Sequence, residues 1–148
     1  GKLEKDKFLL KFRGAGDGAA YISLLSELNI TEMVQFLPSV PYKDSIQEMK
    51  NADGLLVLQG KTFNNQIPGK IYEYIATGNP ILGLVGEGGA THNLLQIVSG
   101  GLCSPELDID SIKDKILTIK KLKPSNIDEI EKFGRAIKSQ ELLTVIIK

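Results

Sequence analysis

One cysteine, one histidine and no tryptophan narrow the chemistry open to this 148-residue chain before any motif is sought. The lone Cys103 excludes an internal disulfide and a thiolate metal cage, which suits a reducing cytoplasm. The lone His92 excludes a two-histidine metal site. Charge of one sign is missing too. Eighteen basic and eighteen acidic side chains cancel, so no net field draws the chain to nucleic acid or to an anionic membrane. No apolar run approaches the ~20 residues that a membrane span needs, and no signal peptide opens the sequence. What is present is the ordinary mixture of a soluble globular protein, 42% apolar and 24% charged. The length suits one domain, spanning residues 1–148, with a real core. The opening Gly1 and the charged stretch 2–7 suggest a fragment excised near a domain boundary.

Strand and helix patterns alternate along the chain. Phe8-Leu9-Leu10-Lys11-Phe12 reads as a strand, stopped by the tight loop Arg13-Gly14-Ala15-Gly16-Asp17-Gly18. Residues 19–29 place Ala20, Leu24, Leu25 and Leu28 on one helical face. Val34-Gln35-Phe36-Leu37 is a second strand, ended by Pro38, and residues 43–51 form a helix with Ile46 and Met49 three apart. Gly54-Leu55-Leu56-Val57-Leu58 is near-continuously apolar, as in strands buried on both faces of a parallel sheet. Residues 69–77 are a helix preceded by Pro68 and stopped by Gly78. A strand at 80–85, a loop at 86–89 and a helix that Thr91 can cap follow. A short strand at 101–103 leads into helical sequence from Asp108 to the C-terminus, broken once at Pro124. The alternation predicts an α/β fold: a doubly wound parallel sheet with helices on both faces, in three layers.

In such sheets ligands bind beyond the C-terminal ends of the strands, where loops feed helix N-termini. Four loops meet that description: 13–18, 37–42, 60–70 and 86–93. Their open N–H groups and positive helix ends favour a phosphate. The most informative stretch is Ile67-Pro68-Gly69-Lys70-Ile71-Tyr72-Glu73-Tyr74-Ile75-Ala76-Thr77-Gly78-Asn79-Pro80-Ile81-Leu82. It resembles the donor-site signature of the group 1 (family 4) glycosyltransferases, with a proline-led loop, Lys-x-x-Glu-Tyr, an Ala, a Gly, and Pro-Ile opening the next strand. Further marks lie in order around it. Gly14-Ala15-Gly16-Asp17-Gly18 is similar to the family's Gly-x-Gly turn. Residues 34–40 resemble its Val-x-Phe-Leu-Gly-x-Val segment, with Pro38 in place of Gly. Ala52-Asp53-Gly54-Leu55-Leu56 resembles its Ala-Asp strand opening. The likeness covers residues 8–102, and the tail from Ser111 fits more loosely.

The resemblance implies a Rossmann-like domain, the C-terminal donor-binding half of a GT-B glycosyltransferase, whose partner is an N-terminal acceptor-binding half absent from the chain. It implies that Glu73 accepts hydrogen bonds from the ribose of a nucleotide-sugar donor, as a carboxylate can from two neighbouring hydroxyls. A solvated helix glutamate is the plainer reading. Pro68 and Gly69 leave N–H groups of the following residues, Lys70 and Ile71 among them, open to a diphosphate. Lys70 adds a charge there or forms a structural ion pair. Val40 and Tyr42 resemble the base-contacting segment, although Tyr42 is as well read as a surface tyrosine. Many relatives carry a second glutamate eight positions before the ribose-binding one. Here that place is Asn65, which keeps hydrogen-bonding capacity and loses the charge. The loop with Gly89 and Thr91 is a second candidate for diphosphate or sugar, and Gly14 and Gly16 form a third. His92 reads as structural.

Other signals are set aside. Asp108-Ile109-Asp110 has the form of a metal-binding triplet, but before Ser111 it reads as a helix cap. Gly14-x-Gly16 has its third glycine misplaced for a dinucleotide fingerprint, and the second strand ends without the acidic residue. A receiver domain needs paired acids where Arg13-Gly14 stands, and Ser23, Ser39 and Ser99 lack an elbow context. The resemblance implies a transferase of the retaining GT-B type, using a nucleotide-sugar donor with no metal or other cofactor, and we expect it to be inactive as this fragment alone. No catalytic residue is assigned. A cytoplasmic location is expected, with peripheral membrane association open for the full-length protein. Two alternatives stand: a nucleotide-sugar epimerase half-domain, for which residues 60–66 offer no acid or base, and a non-catalytic nucleotide-binding or partner-docking domain, which Asn65 favours.

Overall fold

The computed structural model describes residues 3–119 together with 121, 122, 124, 131 and 133. Two compact units divide the chain at Ser45 and Ile46. In the first, strands β1 (Leu10–Arg13) and β2 (Val34–Leu37) pair in parallel, with Leu10 opposite Val34 and Phe12 opposite Phe36. A parallel pair needs a crossover, and here it is a single 3-10 turn at Ala19–Tyr21, helix α1 (Ile22–Glu27) and a second 3-10 turn at Thr31–Met33. The Phe36 ring stacks on Phe12 and on Tyr21, at centroid distances of 5.2 and 5.8 Å.

The crossover helix is shorter than its apolar spacing predicts. Leu24 and Leu28 are more than half exposed and Leu25 is half-buried. Residues 19–21 form a 3-10 turn, and Leu28 and Asn29 lie beyond the helix end, Asn29 with a left-handed backbone at φ 54°.

In the second unit, β3 (Leu55–Leu58), β4 (Ile81–Leu84) and β5 (Gly101–Ser104) form a parallel sheet with β4 in the middle. Helix α2 (Tyr42–Lys50) contains the division between the units, α3 (Lys70–Thr77) joins β3 to β4, α4 (Ala90–Ile97) joins β4 to β5, and α5 (Ile109–Ile119) follows. The core joins Ile71 and Ile75, one turn apart on α3, to Leu55, Val57, Ile81 and Leu95, with Met49 and Val98 at its edges. Burying each such side chain stabilises the fold by about 1.5–3 kcal/mol.

Helix α3 ends where Gly78 takes φ 76° and donates to the Ile75 carbonyl, a conformation that costs a side chain little only when there is none. Asp108 Oδ1 accepts the Ser111 N–H at 2.9 Å, so this aspartate caps α5 as its place before Ser111 predicts. Strand β3 departs from expectation. Leu55 and Val57 are buried, but Leu58 is 58% exposed, because it closes the strand at the sheet rim. The expected helical stretch beyond residue 124 lies outside the described residues. No helix among the described residues is long and apolar enough to cross a membrane. The fold is α/β and Rossmann-like, with parallel sheets flanked by helices.

Candidate functional site

Beyond β3 the chain makes a 3-10 turn at Lys61–Phe63 and then an irregular passage to Gly69, the residue that precedes α3. The Ile71 N–H donates to the Pro68 carbonyl at 3.0 Å and the Tyr72 N–H to the Gly69 carbonyl at 3.2 Å. The N–H groups of Gly69 and Lys70 have no acceptor among the described residues. They are the unspent donors of a helix start, where the backbone dipole adds positive potential. Ile71 is fully buried and serves the core.

Glu73 lies in the first turn of α3. Its Oε2 stands 2.8 Å from Lys70 Nζ, with side chains 31% and 47% exposed. That oxygen is shut from solvent and receives no well-angled hydrogen bond, so the ammonium faces it as a charge. An exposed i,i+3 pair of this kind contributes only about 0.2–0.5 kcal/mol, so a ligand can compete for either partner. Beside it, burial raises the Tyr74 phenol above its ordinary range; the Lys70 charge opposes that and the Glu73 charge adds to it.

The passage from 60 to 68 borders a hollow of about 300 Å³, lined by Leu58, Gln59, Gly60, Phe63, Gln66 and Pro68. Asn65 is exposed. Its neighbour Asn64 accepts the Ala90 N–H at 2.6 Å through its carbonyl and lays its side chain against Gly86, where a Cβ would collide with it. The second loop therefore meets the first. Gly89 precedes α4 with extended backbone, so the helix cap is Gly89 and the expected cap at Thr91 is corrected. Thr91 sits one residue inside the helix, 1% exposed, and its hydroxyl donates to the Gln66 carbonyl at 3.0 Å. The N–H groups of Thr91 and His92 have no acceptor among the described residues. His92 Nδ1 lies 3.3 Å from Asn93 Oδ1.

Pro68, Gly69, Lys70, Ile71 and Glu73 thus share the start of α3, while Asn65, Gly89 and Thr91 meet around residues 64–66. Gly14, Gly16, Val40 and Tyr42 belong to the first unit. There Gly14, Gly16 and Gly18 take φ of 71°, 87° and 71°, left-handed values that explain the alternating glycines. The Gly14 N–H donates to the Leu37 carbonyl, and a Cβ on Gly18 would enter the Phe36 ring. No atom lies near where a Gly16 Cβ would stand. Val40 is half-buried, and Tyr42 opens α2 with its ring exposed. Among the described residues no group of three His, Cys, Asp or Glu could hold a metal ion.

The family model described as glycosyl transferases group 1 matches residues 2–140. This chain is a group 1 glycosyltransferase. No individual curated protein and no solved structure matches it. Membership in the group 1 glycosyltransferases makes the chain part of a transferase that draws on a sugar donor, and extends the family likeness past residue 102 to residue 140. Sequence reasoning passed over one residue of this glycosyltransferase that the structure brings forward, Gln59. The signal was present: a lone amide closing an apolar strand, at the strand end where ligands bind.

Proposed function

We propose that this group 1 glycosyltransferase chain is the donor-binding, C-terminal half of a retaining GT-B enzyme of family 4, and that its ligand is a nucleoside diphosphate sugar. One observation carries the reading. Glu73, inside the first turn of α3, stands behind two unspent N–H groups at Gly69 and Lys70. A carboxylate suits a ribose diol, and open amides at a helix start suit a diphosphate. In the bound state Lys70 turns from Glu73 to the phosphates, and the Thr91 and His92 N–H groups beyond Gly89 offer a second set of donors. These groups meet the negative charge that grows on the departing diphosphate, which is how preorganised donors lower a barrier. The reading assigns this task to backbone and lysine and requires no metal. Asn65 reaches toward the sugar. Acceptor recognition and acceptor activation belong to an N-terminal half, so the chain alone binds nucleotide weakly and transfers nothing. We place the protein in the cytoplasm.

Calorimetric titration with UDP, GDP and their sugar conjugates tests this. Glu73→Ala is expected to cost roughly 1.5–3 kcal/mol of affinity, the loss of hydrogen bonds to a charged group. Unchanged affinity would make Glu73 a surface residue and end the assignment. A second reading, a nucleotide-binding module without catalysis, draws on Asn65, an exposed amide at the place where the family resemblance implies a glutamate. Sugar transfer by the full-length protein would exclude it.

A further inference from the structure

Gln59 is the last buried residue before the loop, only 8% exposed, and it is a polar one. An amide in such a place costs stability unless its hydrogen bonds are made. Gln59 makes them to two loop carbonyls: Nε2 donates to Phe63 O at 2.6 Å and to Gln66 O at 2.9 Å. Each of those oxygens has a second donor. Phe63 O also accepts the Gln66 N–H at 2.9 Å, and Gln66 O also accepts the Thr91 hydroxyl at 3.0 Å. Both carbonyls thus have both lone pairs engaged, one on each side of Asn64 and Asn65. Asn64 is fastened separately through the Ala90 N–H and the Gly86 surface. Phe63, Asn65 and Gln66 are all exposed, but Asn65 is the one of the four that makes no hydrogen bond among the described residues.

We propose that Gln59, with Thr91, is a positioning residue that holds the turn 63–66 so that Asn65 is presented to the donor sugar. The inference rests on the donor-binding reading above, and it assigns the Thr91 hydroxyl, as distinct from its N–H, to support of the loop. Neither side chain needs to touch the ligand. A loop already ordered does not lose that freedom again on binding.

The test pairs two ligands, UDP and UDP-glucose (or GDP and GDP-mannose, whichever pair binds), with Gln59→Leu, Thr91→Val and Glu73→Ala in the same chain. Gln59→Leu is expected to weaken the sugar nucleotide about fivefold to tenfold, the cost of ordering a few side chains and a turn on binding, and the bare nucleoside diphosphate less than twofold. Amide hydrogen exchange at residues 64–66 rises without ligand. Thr91→Val gives the same split with a smaller loss, and decides the matter if Gln59→Leu does not fold. Glu73→Ala weakens both ligands alike. Equal losses for the two ligands in the Gln59 and Thr91 variants, or unchanged exchange at 64–66, would overturn the positioning role and leave donor binding standing. No effect of Glu73→Ala on either ligand would remove the donor reading and this inference with it.

Discussion

Asn79 shows how much one side chain can hold. It stands just after Gly78, and its Nδ2 lies 2.8, 3.0 and 2.9 Å from the carbonyls of Met49, Lys50 and Ala52. Met49 O also accepts the Ala52 N–H at 3.3 Å, and the other two carbonyls, at the end of α2 and just past it, receive their donor from a residue at the far end of α3. Asn79→Ala is expected to cost about 1–3 kcal/mol in urea unfolding, the penalty of leaving such acceptors without a partner. Asn79→Asp should cost more, since a carboxylate there meets the negative end of the helix. Tyr74 gives a pH dependence. Burial first, then the Glu73 charge, raises its phenol above the ordinary 10.0, against the opposing Lys70 charge. The folded state therefore holds the proton more tightly than the unfolded chain. That contribution is complete below pH 10 and is lost as pH rises through the folded value. Tyr74→Phe should flatten the fall in stability above pH 10, read from denaturant midpoints at stepped alkaline pH. Equal slopes would refute it. Glu73 was legible as a motif residue, whereas Asn79 was legible only as the Asn of a Gly-Asn-Pro turn, because its three acceptors lie about thirty residues away.

At the scale of elements, the central strand and its neighbours leave no space for extra atoms. A Cβ on Gly101 would strike the Leu95 carbonyl and come within 3.0 Å of the Val98 carbonyl, and one on Gly83 would lie 2.5 Å from Leu95 Cδ1. The first obstacle is backbone and cannot rotate away. Gly101→Ala should therefore destabilise more than Gly83→Ala, with losses on the overpacking scale of about 1–3 kcal/mol; thermal unfolding of the two variants decides the order. The glycines of β4 and β5 could be read from sequence as turn or strand residues, but not as the seats of Leu95 and α4. Elements were legible where periodicity and punctuation agreed. Pro68 and Gly78 bracket α3, and β2 occupies Val34–Leu37 as expected. Helix α1 is shorter than the apolar spacing predicts at both ends, because Ala19–Tyr21 closes as a 3-10 turn and the backbone turns left-handed at Asn29. The cap of α4 was misplaced by two residues because Thr91 is a good capping type, yet packing draws its hydroxyl inward to Gln66.

For the molecule as a whole, the two units differ in how they are built. The second gathers nearly all the buried apolar side chains around a three-stranded sheet; the first rests on two strands, three stacked rings and a buried Met33. Two paired strands are marginal by themselves, and local opening follows shallow burial. Native-state hydrogen exchange should find its strongest protection at Ile81–Leu84 and weaker protection at Leu10–Arg13 and Val34–Leu37. Equal protection across both sheets would contradict this. Alternating strand and helix, parallel pairing and the ordered loop motifs follow from the amino-acid sequence, because periodicity, glycine, proline and the order of motifs are local properties of the chain. The tertiary structure alone decided that Gln59 and Thr91 grip the same carbonyl and that Asn79 reaches the carbonyls of Met49, Lys50 and Ala52. Those facts depend on which groups from distant parts of the chain come within about 3 Å of one another, and no pattern within a single segment encodes that distance.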